Sequence, residues 1–255
     1  NKVKLLLDAG ADVNAKNNNG MTALIAAGLR GDDNKVKLLL DAGADVNAKN
    51  NNGMTALIAA GLRGDDNKVK LLLDAGADVN AKNNDGMTAL LAASTNVRSH
   101  NKVKLLIEAG ADVNAKNNNG TTALIEASVG EADYETVKLL IEAGADVNAK
   151  NNDGMTALLE VISTGYSNDI VKLLIESGAD VNIKNNDGTT ALIEAISTGY
   201  SKDIVKLLID AGADVNAKNN DGTTALIEAL STDSLFSEDI AKLLIDAGAD
   251  VNIKK

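Results

Sequence analysis

The chain contains no cysteine, no proline and no tryptophan among its 255 residues, and its single histidine is His100. Without cysteine it can form no disulfide framework, thiolate metal cluster or cysteine nucleophile, and one histidine leaves little imidazole chemistry. Its aromatic residues, beyond that histidine, are three tyrosines and one phenylalanine. A core must therefore be built from Leu, Ile, Val and Ala, which suit closely stacked helices. These absences predict a protein that is not an enzyme and holds no metal or cofactor.

The charge balance is acidic, with 25 Lys and Arg against 36 Asp and Glu, a net charge of −11. A polyanion is repelled by such a chain, so we expect no nucleic-acid partner. No segment approaches the roughly 18 consecutive apolar residues of a membrane-spanning helix, and the first residues do not resemble a secretion signal. We expect a cytoplasmic protein with no membrane partner, and a secreted effector remains an alternative.

One five-residue segment, Gly-Ala-Asp-Val-Asn, recurs along the whole chain at spacings of 33 to 36 residues. The copies begin at Gly10, Gly43, Gly76, Gly110, Gly144, Gly178, Gly212 and Gly248. A period of this length is typical of repeat proteins, in which each unit buries its apolar face against its neighbours. Thr-Ala-Leu recurs seven times in phase with the segment. We therefore expect a single array over residues 1–255, with a leading half repeat at 1–18 and seven full repeats from about 19 to 255.

One repeat, residues 85–114, shows the local signals. A turn at Asp85-Gly86 leads to Thr88, which is a suitable N-cap for a short helix, because its hydroxyl can accept from an exposed backbone N–H. A polar loop that includes His100 then leads to a longer helix, and Gly110 ends that helix in the left-handed conformation. We expect Asp112 and Asn114 to bond the backbone of the extended segment that follows.

The turn, short helix, loop, longer helix and Gly-Ala-Asp-Val-Asn segment together resemble the ankyrin repeat family. The family's Thr-Pro-Leu-His-x-Ala box is similar to Thr22-Ala23-Leu24-Ile25-Ala26-Ala27 here, with Pro and His replaced. The resemblance implies an all-α repeat fold, an ankyrin-type α-solenoid of helix-turn-helix units with β-hairpin-like fingers. It also implies that the first helix of each repeat lines a concave face where protein partners dock.

Acidic residues are concentrated in the later repeats, since residues 1–127 carry a net charge of +1 and residues 128–255 a net charge of −12. One first-helix position is alanine at Ala26, Ala59 and Ala92 and glutamate afterwards, at Glu126, Glu160, Glu194 and Glu228. With the finger residues Asn118, Asn152, Asn186 and Asn220, these glutamates are our candidate contacts for a protein partner, preferably a basic one. The alternative is that each glutamate is an ordinary solvated residue near a helix N-terminus.

Two other functions compete with a dedicated binding scaffold. Nearly identical Lys-Asn-Asn fingers in every repeat favour a structural spacer array. Residues 1–33 are identical to residues 34–66, which is also compatible with an engineered, consensus-like scaffold. Neither end shows the polar surface typical of terminal repeats, so we expect either a fragment of a longer array or self-association through uncapped ends.

Overall fold

The computed structural model describes residues 2–30, 32–96, 99–129, 133–165, 167–199, 202–231 and 237–252. These ranges contain fifteen α-helices and no strand; a single isolated antiparallel bridge joins Lys218 and Thr224. The helices are α1 (Lys2–Asp8), α2 (Ala23–Arg30), α3 (Asp33–Asp41), α4 (Ala56–Arg63), α5 (Asp66–Asp74), α6 (Ala89–Ser94), α7 (His100–Glu108), α8 (Ala123–Ala127), α9 (Tyr134–Glu142), α10 (Ala157–Thr164), α11 (Asn168–Glu176), α12 (Ala191–Ser197), α13 (Lys202–Asp210), α14 (Ala225–Ser231) and α15 (Ser237–Asp246). None of the helices so described is long and apolar enough to cross a membrane.

Two of the predicted helix ends are confirmed in the repeat at residues 85–114, the N-cap at Thr88 and the stop at Gly110. Thr88 is the N-cap of α6, and its hydroxyl accepts from the backbone N–H of Leu91 at 3.2 Å. Gly110 follows α7 with a φ of +88°, the left-handed conformation expected of a helix stop. His100 was predicted to lie in the polar loop, which is wrong, because it is the first residue of α7. Ser99 precedes α7 without capping it, since its hydroxyl donates instead to the carbonyl oxygen of Asn96 at 2.7 Å.

Each finger is a tight turn stabilised by an asparagine, as Asn185 shows. Its backbone N–H donates to the carbonyl oxygen of Thr189 at 3.1 Å, and its own carbonyl accepts from Gly188 at 3.0 Å. Its side-chain oxygen accepts from the backbone N–H groups of Asp187 and Thr189 at 3.0 and 2.9 Å. Gly188 has a φ of +75°, which only glycine adopts without strain. The finger is therefore hairpin-like without forming a strand.

Contacts divide the chain into two compact units, and the single array predicted over residues 1–255 stays a prediction. The first unit consists of Asn1–Ala123 and Glu142–Ala145. In it the first helices of successive repeats, α2, α4 and α6, pack on one another, and so do the second helices, α1, α3, α5 and α7. Each of α2, α4 and α6 also packs against the second helix of its own repeat.

The second unit consists of Leu124–Ile141 and Asp146–Lys255. Its first helices α10, α12 and α14 form one packed row and its second helices α11, α13 and α15 form another. The buried residues between the rows are aliphatic, as the lack of aromatics predicted; Leu174, Leu208 and Leu244 are all fully buried. Because equivalent helices pack in sequence, equivalent residues of successive repeats lie in columns along each row.

Candidate protein-binding surface

Four glutamates occupy the same position in the first helices of the second unit. Each lies four residues after the threonine that begins its repeat's first helix, so the backbone N–H groups of Glu160 and Glu194 donate to the carbonyls of Thr156 and Thr190 at 2.9 and 3.0 Å. Stacking by whole periods arranges such equivalent side chains in one column. We name it the acidic column; its members are Glu126, Glu160, Glu194 and Glu228.

All four side chains of the acidic column are half-buried. Burial raises the pKa of the Glu126 carboxyl and is the main cause of the raised pKa values of Glu160 and Glu194. The charges of Glu126 and Asp153 raise the pKa of Glu160 further, and the charge of Glu228 does so for Glu194. None of the ion pairs between described residues involves the column. Within the described part of the chain, these carboxylates therefore have only partial hydration and no cationic partner.

Replacing Glu160 with glutamine is expected to stabilise the protein at neutral pH. The raised pKa means that the folded chain holds this proton more tightly than the unfolded chain. The stabilisation that the folded state gains from binding this proton is complete below the ordinary pKa of 4.5. It is lost as the pH rises through the raised pKa of Glu160. Glu160→Gln removes that loss, so its thermal midpoint should exceed that of the parent at pH 7 and match it in acid.

The control for this substitution is Glu176→Gln, which alters an exposed carboxylate on the second helix of the same repeat. An exposed surface change of this kind is expected to shift stability by no more than about 0.5 kcal/mol. If the two variants show equal thermal midpoints at neutral pH, partial burial of the acidic column does not destabilise the folded protein when Glu160 is ionised.

The predicted finger contacts are Asn118, Asn152, Asn186 and Asn220. All four residues are exposed, yet the side-chain amides of Asn118, Asn186 and Asn220 bond neighbouring fingers. The Nδ2 group of Asn186 donates to the carbonyl oxygen of Asn152 at 2.8 Å, while its backbone N–H donates to Asp153 at 3.0 Å. Asn118 and Asn220 each make the same side-chain bond to the preceding finger at 2.9 Å. These side chains connect repeats, and their contact with a partner stays a prediction.

A second ladder runs through the last residue of each Gly-Ala-Asp-Val-Asn segment. The Nδ2 group of Asn182 donates to the carbonyl of Gly212 at 2.9 Å, and its Oδ1 accepts from the backbone N–H of Asp214 at 2.7 Å. The same two bonds to the next segment are made by Asn14, Asn47, Asn80, Asn148 and Asn216. We expected Asn114 to bond its own extended segment, and the structure corrects this, because its Nδ2 donates to Gly144 at 3.0 Å. Asp112 does act locally, accepting from the backbone N–H of Asn114 at 3.0 Å.

Comparison with known proteins identifies the repeats. The family model described as ankyrin repeats (3 copies) matches residues 1–83, 58–151, 92–185, 128–219 and 158–255. The chain belongs to the ankyrin repeat family. The crystal structure of the ankyrin repeat domain of Bcl-3, described as a unique member of the IkappaB protein family, is similar to it with 32% identity and a TM-score of 0.73, over 88% of this chain and 99% of that one. No curated protein matches the chain.

Membership of the ankyrin repeat family confirms the predicted all-α, helix-turn-helix repeat fold. It also supports protein–protein interaction as the class of function, since ankyrin repeats act as interaction modules. Among the residues that the structure describes, no group of three or more His, Asp or Glu side chains is placed to hold a metal ion. The candidate site is a surface on stacked helices and fingers, and the acidic column is one of its polar features.

Replacing Asn182 with aspartate is expected to destabilise this ankyrin array by about 1 kcal/mol, because the new carboxylate cannot donate to Gly212 and faces its carbonyl. Urea denaturation would measure the loss. Asn252 is the equivalent residue of the last segment in this chain, and Asn252→Asp should leave the free energy of unfolding nearly unchanged. Equal losses in the two variants would show that the bond between repeats contributes nothing.

Proposed function

We propose that this ankyrin repeat protein is a non-catalytic scaffold that binds a protein partner, and that its later repeats favour a basic segment laid along the acidic column. The observation that carries the proposal is the combination of half-burial and raised pKa at Glu126, Glu160 and Glu194. A lysine or arginine beside such a carboxylate replaces lost water with a charge-assisted hydrogen bond. The net charge of −12 over residues 128–255 adds attraction at longer range.

Rigid presentation of the surface supports the same function. The asparagine ladders bond each repeat of the second unit to the next at both the finger and the Gly-Ala-Asp-Val-Asn segment, as at Asn186 and Asn182. Residues held in place before contact lose less conformational entropy when a partner docks. The exposed finger asparagines of the second unit, Asn152, Asn186 and Asn220, would add polar contacts to the same partner.

Replacing all four column residues is expected to weaken binding of a basic segment. The variant carries Glu126→Gln, Glu160→Gln, Glu194→Gln and Glu228→Gln, which keep side-chain shape and remove charge. Titration of a labelled lysine-rich peptide should show an affinity at least about tenfold lower than for the parent, equivalent to roughly 1.4 kcal/mol. Circular dichroism should show unchanged helicity, because glutamine is as good a helix former as glutamate.

A matched control lies on the second helices of the same four repeats. Exposed acidic residues there also form one position per repeat, namely Glu135, Asp169, Asp203 and Asp239. Changing these to the corresponding amides removes the same net charge from a different face. If both variants lose the same affinity, the peptide responds to net charge alone, and the column is not the site. Unchanged affinity in the variant that lacks the four column glutamates would also reject the acidic column as the binding site.

A structural spacer array is the second candidate, and a specific observation favours it. The finger side chains, such as Asn186 and Asn220, donate to the neighbouring finger, so identical fingers serve stacking. A spacer has no binding face, and the parent chain would then bind the lysine-rich peptide no more tightly than an acidic peptide at physiological ionic strength.

A further inference from the structure

Three fingers contain the dipeptide Asn-Gly, namely Asn19-Gly20, Asn52-Gly53 and Asn119-Gly120. The same position of the other fingers holds Asp-Gly, at Asp85, Asp153, Asp187 and Asp221. Glycine has no Cβ, so its backbone nitrogen can approach the side chain of the residue before it. An Asn-Gly pair is therefore where an asparagine side chain reacts most readily with its own backbone.

The reaction open to Asn52 is the loss of ammonia. Hydroxide removes the proton from the backbone nitrogen of Gly53, and this nitrogen attacks the side-chain carbonyl carbon of Asn52. A C–N bond forms, the bond to the side-chain nitrogen breaks, and ammonia leaves with a proton from water, which restores the hydroxide. Water then opens the five-membered imide at either carbonyl. The product is aspartate, or isoaspartate, in which the backbone continues through the former side-chain carbonyl.

The fold holds both ends of the peptide unit that must react. The N–H of Gly53 donates to the carbonyl oxygen of Asn50 at 2.9 Å. The carbonyl oxygen of Asn52 accepts from the backbone N–H of Asn84, in the next finger, at 3.0 Å. Asn84 also donates from its Nδ2 group to the carbonyl of Asn51 at 3.1 Å. Because closing the imide ring removes the Gly53 proton and rotates this peptide unit, these bonds must open first.

The next finger also covers the glycine of each pair. A Cβ atom on Gly53 would lie 2.7 Å from Oδ1 and 2.9 Å from the backbone nitrogen of Asn84. Asn51 covers Gly20 in the same way, at 2.5 and 2.8 Å. Its N–H donates to the carbonyl of Asn19 at 3.0 Å. Both glycines are buried, so base reaches their nitrogens only when the covering finger moves away.

The two products differ in their effect on the finger. Asp85 shows that aspartate fits, since its carbonyl accepts from the N–H of Asn118 at 2.9 Å. Gly86, which follows it, donates to the carbonyl of Asn83 at 3.0 Å, as Gly53 does to Asn50. Isoaspartate instead inserts the side-chain methylene into the backbone. A tight four-residue turn lengthened in this way loses its closing bond.

We propose that Asn19 and Asn52 are sites of spontaneous deamidation, and that the asparagine of the following finger, Asn51 or Asn84, sets the rate at which each one reacts. The reaction takes place during local opening of the finger, because the closed finger holds the peptide unit and shields its nitrogen. Its isoaspartate product uncouples neighbouring fingers. These sites lie in the first unit and are independent of the acidic column.

Chains with a single Asn-Gly pair test the proposal. One keeps Asn52 and carries Asn19→Asp and Asn119→Asp, and the other keeps Asn19 and carries Asn52→Asp and Asn119→Asp. Separate chains are needed because residues 1–33 and 34–66 are identical and yield the same peptides. The intact mass after incubation at mildly alkaline pH measures conversion of amide to acid. Each folded chain should convert at least about tenfold more slowly than the same chain unfolded in guanidinium, since only the open finger reacts.

The matched variant is Asn84→Ala, made in both chains. It removes the Nδ2 bond to the finger that carries Asn52 and leaves Asn51, which covers Asn19, unchanged. Loss of this bond should speed conversion of Asn52 at least about threefold and leave conversion of Asn19 as it was. The proposal is overturned if folded and unfolded chains convert equally or not at all. It is also overturned if Asn84→Ala speeds both sites equally, or neither of them.

Hydrogen exchange at the backbone N–H of Gly53 is the second measurement. Exchange and deamidation both require this N–H to leave the carbonyl of Asn50. Asn84→Ala should therefore speed the exchange by the same factor as the conversion of Asn52. Faster conversion beside an unchanged exchange rate would show that opening of the finger does not set the rate, and would overturn the proposal.

Discussion

Replacing Gly61 with alanine is expected to lower the free energy of unfolding by about 1–3 kcal/mol, as overpacking does. The usual effect in a helix interior is the opposite, since alanine is favoured over glycine by about 1 kcal/mol. Here the added Cβ would lie 2.6 Å from the carbonyl oxygen of Ala89 and 3.3 Å from the Cβ of Ala92. A backbone oxygen cannot rotate away, so α4 and α6 must separate. Urea denaturation of the two chains measures the loss.

The control for Gly61→Ala is Ser94→Ala, at the equivalent position in the next repeat. A Cβ is already present there, and the hydroxyl bonds only within α6, donating to the carbonyl of Leu90 at 2.9 Å. Such bonds within a helix contribute little, so we expect a change below about 1 kcal/mol. If Gly61→Ala stabilises the protein as helix propensity alone requires, the close approach of α4 and α6 is contradicted.

Replacing Ile196 with alanine, at the same helix position in a later repeat, is expected to cost about 2–5 kcal/mol. Ile196 is 1% exposed on α12, a helix that packs against both α13 and α14. Truncation leaves a cavity that rigidly stacked helices fill only in part. The same repeat position thus has opposite volume requirements in the two units, since one added methyl group at Gly61 and three removed carbons at Ile196 both destabilise the protein. Thermal or urea unfolding would report the loss.

Leu230→Ala is the control from the same column, because Leu230 is the equivalent residue of the last repeat and is 73% exposed. Removing its side chain should change the free energy of unfolding by no more than about 0.5 kcal/mol. If Ile196→Ala and Leu230→Ala lower the free energy of unfolding equally, burial between successive first helices does not stabilise the protein at this position.

Helix starts and stops could be predicted from the sequence because they depend on residues that are neighbours in the chain. Thr88 caps the helix that begins at the next residue, and Gly110 follows the C-cap residue of α7 in the left-handed conformation. The period of the Gly-Ala-Asp-Val-Asn segment also predicted stacking, because a single repeat of that length cannot bury its own apolar face. The boundary at His100 was missed, and the residue before it, Ser99, makes no side-chain cap bond, since its hydroxyl donates backward to the carbonyl of Asn96.

The candidate site was predictable only as a set of equivalent positions. Sequence alone placed Glu126, Glu160 and Glu194 in one column, but it left open whether they were solvated or partly dehydrated. Packing of neighbouring helices decides this, and the structure shows half-burial with raised pKa values. The finger asparagines were likewise predicted as exposed contacts, without any sign that their amides bond the preceding finger.

Sequence by itself determined the repeat, the helices and the family, because capping, periodicity and glycine stops act over a few residues or one period. Tertiary structure decided which polar side chains join repeats and which small residues touch. The asparagine bonds between repeats join residues 29 to 34 positions apart, as at Asn14 with Gly43 and Asn216 with Asp250. Their pairing depends on how closely two repeats approach, and that distance is set by side-chain volumes on both sides of the interface.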